Sequence, residues 1–138
     1  MPGSATLFTE QGVLGHTLGF AAMTMPTGVF IALTTTAPTA AAGGTEVVGG
    51  SYARQSAVFA ISTPTNVAAN TATQSFPTAT ATWGVIGYFE IWSALTGGNR
   101  LYWGPLVDPA DGVTPISRNV LNGDTVRLQA GSVRVQAT

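Results

Sequence analysis

His16 is the only histidine in the chain, so a serine–histidine–aspartate relay or an imidazole-bound metal would have to be built on it. It falls in a glycine-interrupted stretch that predicts a weak helix, where one histidine reads as a packing or surface residue. The six carboxylates, Glu10, Glu46, Glu90, Asp108, Asp111 and Asp124, are scattered, and no spacing among them nominates the acid–base pair of a glycosidase. Asp108 and Asp111-Gly112 could open a calcium loop, but the remaining ligand positions are unfilled. The run V-D-P-A-D-G-V-T-P around them is better explained as turn chemistry. No nucleophile elbow, zinc-protease helix, phosphate loop or dinucleotide fingerprint occurs. The chain has no cysteine, which excludes disulfides and thiolate metal sites. A non-enzymatic protein with no cofactor and no metal is the expectation.

Recognition chemistry has more to work with. Tyr88, Trp92, Tyr102 and Trp103 offer flat apolar faces with a polar handle and could stack on sugar rings; a core or subunit interface is the preferred reading of the same residues. Arg127 and Arg134 could pair bidentately with a partner's carboxylates, or form the solvated face of a hairpin; both readings stand. Glu90, set among aromatics, reads as a paired and partly buried acid, with Arg54 or Arg100 as partner. The candidate interface residues are Phe8, Val13, Leu14, Leu18, Trp92, Trp103, Arg127 and Arg134.

These side chains need elements to hold them. Thr82–Trp92 predicts one long strand by length and by β-branched and aromatic content. Alternation would put Trp83, Val85, Phe89 and Ile91 on one face and Ile86, Tyr88, Glu90 and Trp92 on the other. Both faces are apolar, so both should be covered. Ser93–Asn99, with Gly97-Gly98, is a hairpin loop, and Arg100–Leu106 returns as the partner strand. Upstream, a helix starts near Phe8, with Thr9 as cap, Phe8 and Val13 in staple positions and Val13, Leu14 and Leu18 as its stripe. Gly12, Gly15 and Gly19 weaken it, so its glycine side should press against other backbone before Met25-Pro26 ends it.

Gly28–Thr35 is a strand, and 36–50 is an extended loop or arm without regular pattern. Tyr52–Ile61 is a strand whose parity switches, hinting at a bulge. Ser62–Ala81 is rich in Thr, Ala and Asn, with a short strand over Thr73–Phe76. Ile116–Leu121 is a modest strand, and Thr125–Val135 folds as a closing hairpin about Ala130-Gly131. There Val126, Leu128, Val133 and Val135 face inward and the two arginines face each other outside. Seven or eight short strands and one weak helix predict an all-β chain, an antiparallel β-sandwich or jelly roll with a short N-terminal helix, as a single domain over 1–138.

Charge sets the surface. Asp, Glu, Lys and Arg are 8% of the chain, against about 25% in an ordinary domain. Lysine is absent, while Thr, Ala and Gly number 21, 20 and 17. A net charge of −1 gives identical copies almost no mutual repulsion. Five arginines are too few for a nucleic-acid binder. No run of about 20 apolar residues predicts a membrane span, and no basic-then-apolar stretch in the sequence reads as a leader.

Three stretches taken together, the N-terminal helix with the strand G-V-F-I-A-L-T-T, then G-T-E-V-V-G-G-S-Y-A-R-Q over Gly44–Gln55, then the Trp83–Leu106 block W-G…F-E-I-W…T-G-G-N-R-L-Y-W-G-P-L, resemble small virion proteins of tailed bacteriophages. Members of that group are labelled tail-fibre-like, or head decoration and capsid cement proteins. The resemblance implies a non-enzymatic virion subunit, homotrimeric, on the outside of the particle, without saying which part; the capsid exterior, after synthesis in the host bacterial cytoplasm, is the expected location. Its partners would be itself and the major capsid protein, with no nucleic acid and no membrane. Gly49, Gly50, Tyr52, Ala53, Arg54, Trp83, Gly84, Gly97, Gly98, Leu101, Tyr102 and Gly104 would be structural motif positions. Capsid decoration is the first expectation, with the arm 36–50 and the N-terminal residues ordering on assembly. A tail-fibre or tail-tip subunit in host adhesion is the second, and a small hydrolase relying on His16 the third.

Overall fold

The structure, a computed structural model, describes residues 3–62 and 66–136. The first two residues of the N-terminal segment expected to order on assembly, residues 63–65 of the Ser62–Ala81 stretch, and residues 137–138 lie outside the described residues. In chain order the elements are β1 (Gly3–Ala5), α1 (Leu7–Thr17), β2 (Val29–Thr34), β3 (Gln55–Ala57), β4 (Phe59–Ser62), β5 (Val67–Asn70) and β6 (Gln74–Ser75). There follow β7 (Gly84–Ile86), β8 (Tyr88–Trp92), β9 (Arg100–Pro105), β10 (Arg118–Val120), β11 (Arg127–Leu128) and β12 (Arg134–Gln136). The class is all-β with one short helix, as expected.

The predicted sandwich takes the form of one eight-stranded mixed sheet, in the order β3-β2-β8-β9-β1-β12-β5-β4, beside two small two-stranded sheets. Only β1 and β12 run parallel; the two distant ends of the chain lie side by side there. The edge strands β3 and β4 are separated in sequence by Val58 alone. The chain therefore ties the two edges of the sheet together, and the sheet curls nearly into a barrel. Ile31 and Leu33 of β2 with Phe89 and Ile91 of β8 fill its interior, joined by Ile86 of β7, Val120 of β10 and Leu128 of β11.

Two predicted elements are split by this curl. Thr82–Trp92 breaks at Gly87: β7 pairs with β10, whereas β8 pairs with β2 and β9. Gly87 crosses between the sheets with its amide on the Thr34 carbonyl at 3.4 Å and its carbonyl accepting from Leu106 at 3.0 Å. Val85 is exposed as a result, although Phe89 and Ile91 of the same predicted face are buried. Thr125–Val135 is likewise not a hairpin, because β11 pairs with β6 and β12 with β1 and β5. The inward set Val126, Leu128, Val133 and Val135 is nonetheless buried. The parity switch in Tyr52–Ile61 is the β3–β4 crossover at Val58.

Helix α1 starts one turn before the predicted cap. Thr6 is the N-cap, accepting from the Thr9 amide at 3.3 Å. Its own amide pairs with the Leu101 carbonyl at 3.0 Å and its hydroxyl donates to the Arg100 carbonyl at 2.7 Å, so β1 runs directly into the helix. With Thr6 as cap, Phe8 and Val13 no longer hold staple positions. The helix ends after Thr17, where Gly19 adopts φ 81°, the left-handed conformation that closes helices. The returning loop then packs on the glycine side: a Cβ on Gly12 would meet the Met23 sulfur at 2.8 Å, and one on Gly15 the Ala21 methyl at 3.1 Å.

Candidate functional site

The charged residues that chemistry would need are mostly spent on holding loops. Glu90, on β8, is 1% exposed. Its carboxylate accepts from the Gly44 amide at 2.8 Å and the Trp92 indole at 3.2 Å. Arg100 Nε stands 3.8 Å away, too far for a hydrogen bond but close enough for a charge contact. The Arg100 guanidinium also donates to the Ala40 carbonyl at 3.3 Å, and burial lowers its pKa, with Glu90 acting the other way. Glu90 thus pins the loop 36–44 to β8 and β9. Of its two predicted partners, Arg100 is the one the fold brings to it.

Arg54 instead forms a two-pronged pair with Glu46, Nε to Oε2 and Nη2 to Oε1, both at 2.9 Å. These bonds hold its pKa above the ordinary arginine value. Its Nη1 donates to the carbonyls of Ala94 and Gly97 at 3.0 and 2.9 Å, and its carbon centre lies 4.2 Å over the Trp92 ring. One guanidinium therefore joins the 45–50 loop to the β8–β9 hairpin. Tyr52 donates to Glu46 at 2.8 Å and accepts from the Leu33 amide at 3.0 Å; burial pushes its phenol above the usual range. Its ring packs edge-on against Trp83 at 5.4 Å and stacked on Phe76 at 6.1 Å. The turn into Tyr52 needs left-handed backbone at Gly49, Gly50 and Ser51, and the Gly50 carbonyl accepts from the Trp83 indole at 2.9 Å. Of the motif residues quoted above, Gly49, Gly50, Tyr52, Arg54, Trp83 and Gly97 take part in these contacts.

His16 is exposed and its Nδ1 accepts from the Met23 amide at 3.3 Å, closing the loop after α1. Asp108 and Asp111 cap their own turn: Asp108 accepts from Ala110, and Asp111 from the amides of Val113 and Thr114 and the Thr114 hydroxyl. Those bonds hold the exposed Asp111 carboxyl down at about 2. Among the described residues no group of three or more His, Cys, Asp or Glu could hold a metal ion. No helix among them is long and apolar enough to cross a membrane.

The predicted interface residues separate into two kinds. Trp92 is half-buried beneath Arg54 and bonded to Glu90, and Trp103 donates to the Ala5 carbonyl at 3.3 Å. Arg134 bonds the carbonyls of Gly131 and Pro109. Arg127, on β11, is exposed and registers with Ser75, whereas Arg134 registers with Ala69, so the two arginines do not face each other. Phe8, Val13, Leu14 and Leu18 are exposed on α1. Sequence reasoning missed their neighbours Leu7, Phe20 and Met25, the last two among the most exposed large apolar side chains at 74% and 85%. The signal was present in L-G-F-A-A-M-T-M-P, a run that stays apolar past the glycine that stops the helix.

The helix is inverted relative to an ordinary surface helix: its buried residues are Thr9 and Gly15. Thr9 donates to the Leu101 carbonyl at 2.7 Å, so hydroxyls hold α1 to the sheet, while its buried glycine lies under the return loop. Beside it lies an open groove of about 760 Å³, lined by Phe8, Val13, Met23, Met25, Pro26 and Tyr102 among others, with no charged residue in its wall.

The structure is thus a β-scaffold in which Glu46, Arg54, Glu90, Arg100, Asp108 and Asp111 brace loops, and in which α1 and its return loop expose large apolar side chains. Over residues 4–136 the chain matches the family described as podophage GP4 fiber I protein gp80, and it belongs to that family. Membership makes it a phage virion structural protein. No curated protein matches the chain.

Proposed function

We propose that this protein is a non-enzymatic subunit of a fibre on the phage particle, the second of the sequence-based expectations. The family match over residues 4–136 carries the reading, because it spans the strands, the helix and both loop-bracing clusters. The geometry supports it: Arg54, Glu46, Glu90 and Arg100 fix the loops 36–50 and 93–99 to the sheet, which gives a rigid module suited to repeated contacts. Labelling intact virions with a gold-conjugated antibody against the chain tests the reading. Label on fibres or the tail supports it. Label spread over the head lattice would overturn it in favour of capsid decoration on the major capsid protein, and heads lacking the chain should then rupture at a lower temperature.

A further inference from the structure

The turn between β10 and β11 carries covalent chemistry of its own. Asparagine is a chemically labile residue, and only at Asn122-Gly123 is one followed by glycine in this chain. Asn66, Asn70, Asn99 and Asn119 precede Val, Thr, Arg and Val, whose side chains crowd the next peptide nitrogen. Gly123 leaves that approach open: it is exposed, and a Cβ built on it would meet nothing within 4 Å. Asn122 is exposed too, and its carboxamide makes no hydrogen bond among the described residues. The buried Asn70 carboxamide, by contrast, bonds Ala72, Gln129, Gly131 and Val133.

Backbone bonds are what restrain the pair. The Gly123 amide donates to the Ala79 carbonyl at 2.7 Å, and the Ala79 amide donates to the Asp124 carbonyl at 2.8 Å. The Asp124 amide closes the turn on the Leu121 carbonyl at 3.0 Å, while its carboxylate accepts from the Leu121 amide at 2.9 Å. A peptide nitrogen whose hydrogen is held by a carbonyl is not free to lose it and act as a nucleophile.

We propose that Asn122 is a site of spontaneous deamidation gated by opening of the Gly123–Ala79 hydrogen bond. Once that bond opens, solvent base takes the Gly123 amide proton and the nitrogen attacks Asn122 Cγ. A cyclic imide forms as the bond to the side-chain nitrogen breaks and ammonia leaves. Water then adds to either imide carbonyl. Breaking the new bond at Cγ leaves an aspartate at position 122; breaking the original peptide bond leaves an isoaspartate, with the chain routed through the side chain. Water is consumed and ammonia released in equal amounts. Either product puts a negative charge close to Asp124, and the isoaspartate adds a carbon to the backbone of a turn that β10 and β11 hold from both sides. Asp111-Gly112 shares the spacing without the reactivity. Its ionised carboxylate, held by Val113 and Thr114, is a poor target for a nucleophile, and the Gly112 amide is bonded to the Asp108 carbonyl at 2.7 Å. The proposal is independent of where the subunit sits on the virion.

Trypsin cuts after Arg118 and Arg127, so the turn is released as one peptide, 119–127, for mass spectrometry. The full chain is incubated at mildly alkaline pH, folded and, in parallel, unfolded in guanidinium chloride. The unfolded chain should convert at Asn122 and not at Asn119, giving aspartate and isoaspartate, and the folded chain should convert at least about tenfold more slowly. The same opening exposes the Gly123 amide to hydrogen exchange, so its protection factor should match the ratio of the two deamidation rates. Asp124→Ala releases the Leu121 amide and should speed the folded-state reaction while near-UV circular dichroism shows the packing kept. If that variant does not fold, the exchange comparison on the wild type decides. A folded chain that converts as fast as the unfolded one, a rate ratio unrelated to Gly123 protection, a folded Asp124→Ala protein with an unchanged rate, or an unfolded chain unconverted at position 122 would each overturn the proposal.

Discussion

Two regions of this molecule reverse the usual distribution of side chains, and they do so for different reasons. At the β8–β9 hairpin a carboxylate, Glu90, is 1% exposed, while on α1 a leucine, Leu18, is 69% exposed. The charge can stay inside because Gly44, Trp92 and Arg100 surround it with donors and countercharge, which offsets the loss of water. The leucine stays outside because the side of its helix that faces the sheet carries Thr6 and Thr9, bonded to the carbonyls of β9, while Gly12 and Gly15 are covered by the return loop. Polar groups thus hold this fold's loops and helix in place, and apolar groups on α1 stay exposed.

The comparison can be broken most directly at its buried end. Glu90→Ala leaves Arg100 buried without its acid and frees the Gly44 amide, and should cost about 3–5 kcal/mol in urea unfolding. A loss near zero would mean that the hairpin does not depend on the buried charge. Gly104→Ala comes next, because a Cβ there runs into the Cα of Gly3 where β1 lies against β9. Forcing those backbones apart should cost about 2–3 kcal/mol and raise amide exchange in α1, which hangs from the same strand pair. Arg54→Lys keeps the charge but loses the fork to Glu46 and the flat face on Trp92. A cost of about 1–2 kcal/mol, read by chemical denaturation, would show that geometry and not charge alone braces the loops.

At the exposed end the expected effects on folding are small. Leu18→Gln at a concentration where the protein is monomeric should change stability by no more than about 0.5 kcal/mol; a large loss would mean that α1 is packed more tightly than its exposure indicates. The smallest effect belongs to the Asp111 turn. Its folded pKa, about 2, lies below the reference value of 3.8, so the carboxylate's contribution is complete above about pH 4 and is lost as pH falls through about 2. Exchange of the Thr114 amide, corrected for intrinsic pH dependence, should therefore be flat from pH 5 to 8 and rise only toward pH 2. A rise centred near pH 4 would mean that the turn does not hold the acid.

Much of the strand content was legible because it is written in local pattern. The hairpin β8–β9, with Gly97-Gly98 in its loop, stands where alternation and turn residues put it, and Val126, Leu128, Val133 and Val135 are buried as their parity requires. Glu90 among aromatics was recognisable as a paired acid, although the identity of the pair needed the fold: Arg100, which registers with Trp92 two residues along β8, reaches it diagonally, while Arg54 forms its fork with Glu46. Sheet membership was not legible. Gly87 looks like an ordinary position inside a continuous strand, and the parity switch around Val58 reads only as a bulge, yet each marks a crossing between sheets or edges, and only long-range partners decide that. The helix cap moved from Thr9 to Thr6 for the same reason, since both are threonines in good local context and the β9 carbonyls choose between them.

By itself the sequence determined composition and periodicity: a chain of short strands, few ions, no thiol, one histidine and a helix too glycine-rich to stand alone. These follow from side-chain chemistry and hold whatever the chain packs against. Tertiary structure alone decided which face of α1 would be wet, which arginine would meet Glu90, and that the sheet's two edges would be joined through Val58. Those outcomes depend on which distant backbone groups compete for the same donors and acceptors, and nearest-neighbour pattern carries no information about that competition.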